Sequence, residues 1–381
     1  MGRLYILVIL VILVVSACAA PSTPPQQQIA PGSGAGPAVK EEAPVTAWQA
    51  EWDRVLAGAK REGTVSIMSD GGSSLRDAII EGFSKQYGIK VEIVAGKGAQ
   101  LAEKVLTEQR NGLYLWDVQH GGATTKISQL KPAGAYQSLE PTLIRKDFLD
   151  SKFWSPGQPS WVDKDHTVLN IEYSVSGKLG INTNMVKPGE IKSLKDLLDP
   201  KYKGKMIMND PTVSGTGAKF VGVVATLHGW DIWREIAKQE PVVMRDEKLM
   251  VTWLAMGKYP VVLSPKTEPM FDATAAGAPV ADIGVSDALY ATGDTISFLK
   301  NAPHPNAAKV YINWLLSKEG QLIYHTAQGS WSARNDVVLN STPSKKPEPG
   351  VQYFNSNGEE FLLQQAEQMR MAKEIFGHLM K

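Results

Sequence analysis

Three short stretches carry residues suited to holding a small molecule. They are Ser69, Asp70, Ser73 and Ser74 around Gly71 and Gly72; His120, Gly121, Gly122 and Thr124 within residues 120–125; and Ser214, Gly215 and Thr216 within residues 210–217. Each follows a short apolar run and precedes a helical pattern. Each therefore offers hydroxyls and backbone N–H groups at a helix start, where partial positive charge favours carboxylate or phosphate oxygens. The same residue types make ordinary caps and turns, so one such loop decides nothing. Three of one form favour a ligand clasped among them. Asp70 and Asp210 oppose a strongly anionic ligand unless they face away or meet a ligand amine. The reading is a small polar solute, anionic or zwitterionic. Glu268, just after another strand pattern, is either a ligand contact or a carboxylate favoured by a helix start. Trp161 could stack on an organic ligand or simply pack.

Other chemistries find no support. His120 is the one histidine in a candidate loop. His166, His228, His304, His325 and His378 lack metal-ligand spacing such as HExxH, so neither a metal nor a cofactor is expected. No GxSxG elbow or GxxxxGK[ST] loop occurs. The SxxK match at Ser297–Lys300 sits in an extended pattern without its partner motifs. No enzyme is expected. With 40 basic and 39 acidic residues the net charge is +1, which argues against nucleic acid as a partner.

The single cysteine has an informative position. An apolar run over residues 4–15 follows Arg3 and ends in Val15-Ser16-Ala17-Cys18. About 20 apolar residues are needed to span a bilayer, so the run reads as a signal core. The tetrapeptide resembles a bacterial lipobox, which implies lipidation of Cys18 and anchoring at a membrane. Residues 19–45, rich in Pro, Gly, Ser and Gln, read as a tether.

The elements that must position these loops follow from periodicity. Residues 63–94 read as strand, glycine loop, helix and strand. Leu75, Ile79, Phe83 and Tyr87 recur at i, i+4 on one helical face, with Ser73 or Ser74 as cap and Gly88 as stop. Ile89, Val91 and Ile93 alternate with charged residues, which marks a half-buried strand. Two parallel strands joined by a helix place the loop at the carboxyl end of the first strand, where open α/β sheets bind ligands. Residues 114–118 form the expected strand before the second loop, and 206–208 the strand before the third. Residues 167–183 and about 282–297 read as long extended crossings. The architecture expected is α/β, with two lobes joined by hinge strands and a ligand cleft between them. Lobe 1 takes residues 46–172 and 290–381, lobe 2 takes 173–289, and residues 1–18 are the signal.

The chain resembles the extracellular solute-binding proteins of ABC importers, of the type II periplasmic-binding fold, in the branch of ferric-iron, phosphonate and thiamine binders. The resemblance rests on Glu62-Gly63-Thr64-Val65, on Phe83 with Tyr87-Gly88-Ile89-Lys90-Val91-Glu92, and on Tyr173 with Gly180-Ile181-Asn182-Thr183. It rests most on Lys300-Asn301-Ala302-Pro303-His304-Pro305-Asn306-Ala307-Ala308-Lys309 running on to Trp314-Leu315-Leu316-Ser317. It implies a monomeric receptor, at the cell surface or in the periplasm, that passes a solute to permease and ATPase subunits. Iron-binding members use neighbouring tyrosines. Here Ser264-Pro265-Lys266-Thr267-Glu268 and Gly329-Ser330-Trp331-Ser332 stand where the pair is expected. Ferric iron is the alternative ligand, and a surface-anchored enzyme on this scaffold the more distant one.

Overall fold

A computed structural model describes residues 47–380, except 146–147, 149, 155–159, 188, 341–345, 349–350 and 352. Cys18, the signal and the tether lie outside the described residues. The chain begins with α1 (Ala47–Glu62), β1 (Thr64–Ser69), α2 (Ser73–Tyr87), β2 (Lys90–Ala95), α3 (Gly98–Arg110) and β3 (Val118–Gly121). Beyond a π-helical turn at Lys126–Leu130 come β4 (Tyr136–Gln137), β5 (Val168–Asn170), β6 (Ser174–Ser176), β7 (Lys178–Asn182) and β8 (Met206–Asn209). The middle of the chain adds α4 (Thr216–His228), α5 (Asp231–Lys238), β9 (Val242–Met244), α6 (Glu247–Ala255), β10 (Val261–Leu263), α7 (Thr267–Ala275) and β11 (Val280–Gly284). The last part holds β12 (Tyr290–Thr292), β13 (Thr295–Leu299), α8 (Pro305–Leu315), α9 (Lys318–Gln328), β14 (Phe354–Asn355), α10 (Glu359–Leu363) and α11 (Gln365–Phe376).

Two sheets form the lobes. The first runs β2-β1-β3-β13-β4, with β5 also on β13; the second runs β11-β7-β10-β8-β9. The opening unit is parallel as its pattern predicts, with Thr64 opposite Lys90 and Ser69 opposite Ala95. Leu75, Ile79 and Phe83 are fully covered and join Val55, Ile67, Tyr311 and Trp314 in the first core. Leu179, Met206, Phe220, Trp233 and Leu263 belong to the second.

The long extended stretch at 167–183 is three strands in three sheets. β5 pairs with β13, β6 pairs antiparallel with β12, and β7 enters the second sheet. The return crossing mirrors it through β11, β12 and β13. β6 and β12 thus form a two-stranded hinge, with Ser174 opposite Thr292, and β14 adds to it parallel to β12. Gly177 permits the break between β6 and β7. Its φ is +86°, and a Cβ there would stand 1.9 Å from the Ala288 carbonyl oxygen.

Several expectations need correction. Gly72, not Ser73 or Ser74, is the N-cap of α2, and no side chain caps it. The third strand is displaced, because Leu113, Tyr114 and Leu115 are exposed and pairing begins only at Val118, opposite Ile67. His120 and Gly121 are therefore strand residues held by β13. β9 escapes periodicity because three residues beside Pro241 carry no alternation. The C-terminal helix does not lie with the first lobe. α11 packs on α4 and α5, and the Phe376 ring meets Trp233 edge-on at 6.1 Å.

Candidate functional site

In both sheets the first strand of the unit is flanked by the second and third: β1 by β2 and β3, β8 by β9 and β10. Strand order therefore reverses at β1/β3 and at β8/β10. The crevice beyond the carboxyl ends of such strands is the ligand position in open α/β sheets. It is bounded here by residues 70–72 and 122–125 on one side, and by 210–215 and 264–266 on the other. The sides face each other closely enough for the Lys266 ammonium to act on the Asp70 carboxylate.

The first lobe's loops divide into scaffold and surface. Ser69 and His120 are corrected: both turn inward. Ser69 is fully buried; its Oγ accepts from Gly71 N at 3.1 Å and pairs with His120 Nδ1 at 3.2 Å. His120 Nε2 meets Tyr311 Oη at 2.9 Å, and burial, aided by the Lys126 charge, lowers the imidazole to about 3. It is a neutral core histidine that holds β1, β3 and α8 together. Asp70 crosses between loops, and its Oδ2 accepts from Gly122 N at 3.2 Å. A Cβ on Gly121, at φ +119°, would stand 2.2 Å from Asp70 Oδ1. Ser73 and Ser74 are exposed in the first turn of α2, and Thr124 is half-buried before the π turn. These three keep hydroxyls and helix-start N–H groups at the crevice.

In the second lobe Ser214 and Gly215 are exposed and Thr216 opens α4. Asp210 is used up within the protein. It is buried, bonds Arg245 Nε at 2.7 Å, and accepts from Thr212 N and Oγ1 at 2.8 and 2.7 Å. Its negative charge is neutralised away from the ligand side. Ser264, which the sequence placed only where iron binders carry tyrosine, follows β10 with φ +55°, an unusual backbone state for a serine. Its Oγ donates to the Thr216 carbonyl at 3.3 Å and so ties β10 to the start of α4. Glu268 is an exposed first-turn residue of α7, which fits the helix-dipole reading.

Sequence reasoning also missed the charges beneath the crevice. Asp294 Oδ2 accepts from Tyr324 Oη at 3.1 Å and Gln328 Nε2 at 3.3 Å. Burial raises its carboxyl well above the usual range, and repulsion from Asp70 and Glu172 raises it further. Desolvation within the crevice likewise raises Asp70, an exposed residue, and Glu172, a half-buried one. Lys126 is buried, donates to the Gln119 and Thr295 carbonyls at 3.0 and 2.9 Å, and is lowered to about 7 by that burial. Lys219, lowered by burial to about 8, bonds Thr292 Oγ1 and Asn357 Oδ1 at 3.1 and 3.0 Å. Three carboxylates thus share the floor with two lysines whose bonds go to protein oxygens. The one signal available was a charge within an extended crossing pattern, as with Asp294 in residues 282–297.

Among the described residues no three His, Cys, Asp or Glu side chains converge on a metal position. His304 pairs with Asp117, His166 with Glu140 and His325 with Ser330. Trp161 is half-buried and stacks one face on His166 at 4.4 Å.

Comparison with known proteins agrees with this geometry. An uncharacterized protein of Haemophilus influenzae is 24% identical over 306 residues, spanning 77% of this chain and 83% of that one. The periplasmic binding protein AfuA of Actinobacillus pleuropneumoniae, solved with fructose-6-phosphate, superposes with TM-score 0.65 at 19% identity, covering 83% of this chain and 98% of its own. Iron-bound HitA of Pseudomonas aeruginosa gives 0.64 at 18% identity, covering 82% and 99%. These likenesses establish the two-lobe fold of type II periplasmic binding proteins. The sequence pattern of the bacterial extracellular solute-binding proteins matches residues 78–350, and the chain belongs to that family.

Proposed function

We propose that this chain is the lipid-anchored receptor of an ABC importer and that its solute is a small zwitterion. The carrying observation is the Asp294 carboxylate, held by Tyr324 and Gln328 at the crevice, with the charges of Asp70 and Glu172 repelling it. A ligand ammonium relieves that repulsion, while an anionic group meets the N–H groups at the starts of α2 and α4. This narrows the sequence reading: a purely anionic solute faces three carboxylates. Ferric iron is the weaker alternative, since among the described residues no three His, Cys, Asp or Glu side chains converge on one metal position. Ligand exchange without turnover separates a receptor from an enzyme.

In this reading residues 1–18 direct export, Cys18 carries lipid, and residues 19–45 tether a monomeric body near permease and ATPase subunits. A thermal-shift screen of zwitterions, anions, cations and Fe(III) tests the ligand, because a molecule that binds only the folded state raises Tm with concentration. A rise with Fe(III) or simple anions alone overturns the zwitterion. Membrane fractionation of Cys18→Ser tests the anchor; unchanged retention in the membrane pellet would refute it.

A further inference from the structure

A cavity of about 470 Å3 opens at the hinge, within the size range of small-molecule sites. Glu172 and Tyr173 line it from the first crossing, Thr292 from the second, and Tyr353, Asn355 and Asn357 from the C-terminal segment. The segment is well fixed there. Asn357 Nδ2 donates to Asn170 Oδ1 at 2.7 Å and to the Gly293 carbonyl at 2.8 Å, and its Oδ1 accepts from Lys219. These bonds satisfy the Asn357 amide, so it holds the wall in place. Glu172 is half-buried. It accepts from Ser174 Oγ at 2.7 Å, from Asp294 N at 3.3 Å and from the Ser330 hydroxyl, and the Lys219 charge acts on it; carboxylate oxygens have acceptor capacity beyond those three bonds. Lys219 is held by Thr292 and Asn357. The two phenol rings, Tyr173 and Tyr353, are half-buried. A carboxylate beside aromatic rings is the chemistry that accepts an organic ammonium.

We propose that this hinge cavity receives the ammonium end of the solute and that Tyr353, Asn355 and Asn357 form part of the binding wall. The proposal rests on the reading of the solute as one with a cationic group. It makes the C-terminal segment a determinant of specificity: Glu172 takes the charge, and Tyr173 and Tyr353 select for an organic cation over a metal ion.

The full chain in detergent is titrated with choline, spermidine, phosphoethanolamine and inorganic phosphate, with tryptophan fluorescence as readout. An ammonium probe is expected to bind, with Tyr353→Ala weakening it about tenfold and Tyr353→Phe much less. Glu172→Gln is expected to act in the same direction, with melting curves reporting whether it folds. Tyr353 is half-buried, outside both cores, so its substitution keeps the test valid if Glu172→Gln misfolds. If Asp70→Asn weakens an ammonium probe while Tyr353→Ala and Glu172→Gln do not, the cavity proposal falls and the zwitterion reading stands. If inorganic phosphate alone binds, both fall.

Discussion

The Asp70 carboxylate lies directly over Gly121, so close that a Cβ on the glycine would stand 2.2 Å from Oδ1. The contact joins the end of β1 to the end of β3. Gly121→Ala is expected to cost roughly 1–3 kcal/mol from its positive φ, with the clash added. The double variant with Asp70→Ala should recover the clash and leave the backbone cost. Urea denaturation of the four proteins in the cycle measures that coupling; strictly additive losses would refute the contact.

Glu62 explains part of the most specific sequence motif. The last residue of α1, it accepts from Asn306 N at 3.2 Å, Asn306 Nδ2 at 2.6 Å and Ala307 N at 2.7 Å, and so caps α8 from another helix. Glu62→Ala should cost about 1–2 kcal/mol, with Glu62→Gln costing less. A lower urea midpoint at unchanged m is the expected signature.

Asp294 makes the ligand-free protein less stable than it need be. Its carboxyl is raised by burial and by Asp70 and Glu172, so the folded state holds its proton above the unfolded value. That contribution to stability is present in acid and is lost as pH rises through the folded value. Asp294→Asn should therefore raise Tm by a few degrees at pH 8, with the gap narrowing toward pH 4. It should also weaken cationic probes. A lower Tm at pH 8 would contradict the assignment.

His120 gives the opposite sign. Burial lowers it to about 3, whereas an unfolded histidine titrates near about 6.5. Between those values the unfolded state binds the extra proton, so stability falls as pH falls, by about 1.4 kcal/mol per unit. His120→Gln should remove that slope between about pH 6 and 3. Denaturation series at pH 4, 5 and 6 on both proteins provide the test, and parallel slopes would refute a neutral buried imidazole.

The fold was legible where helices are long. The stripe Leu75, Ile79 and Phe83 and the strands on either side of it read directly from spacing. Residues 167–183 were legible as a crossing but not as three strands, because pairing partners far along the chain decide where β5, β6 and β7 break. In the site, loop positions were legible and side-chain directions were not. Ser69 and His120 share the composition of Ser73 and Thr124, yet one pair faces the core and the other the crevice. Ser69 and His120 are paired strand residues in the sheet, whereas Ser73 and Thr124 stand at helix starts beyond it. Asp294 and Glu172 stood outside any motif, and only the hinge brings them beside Asp70.

The place of β13 has a consequence for the order of assembly. The second sheet draws all its strands from residues 178–284, so it can form from one uninterrupted segment. The first sheet lacks its partner for β3, β4 and β5 until residues 295–299 are made. Such long-range pairing is slow to nucleate, and an unpaired β3 edge is open to wrong partners meanwhile. The sheet written first is the sheet completed last.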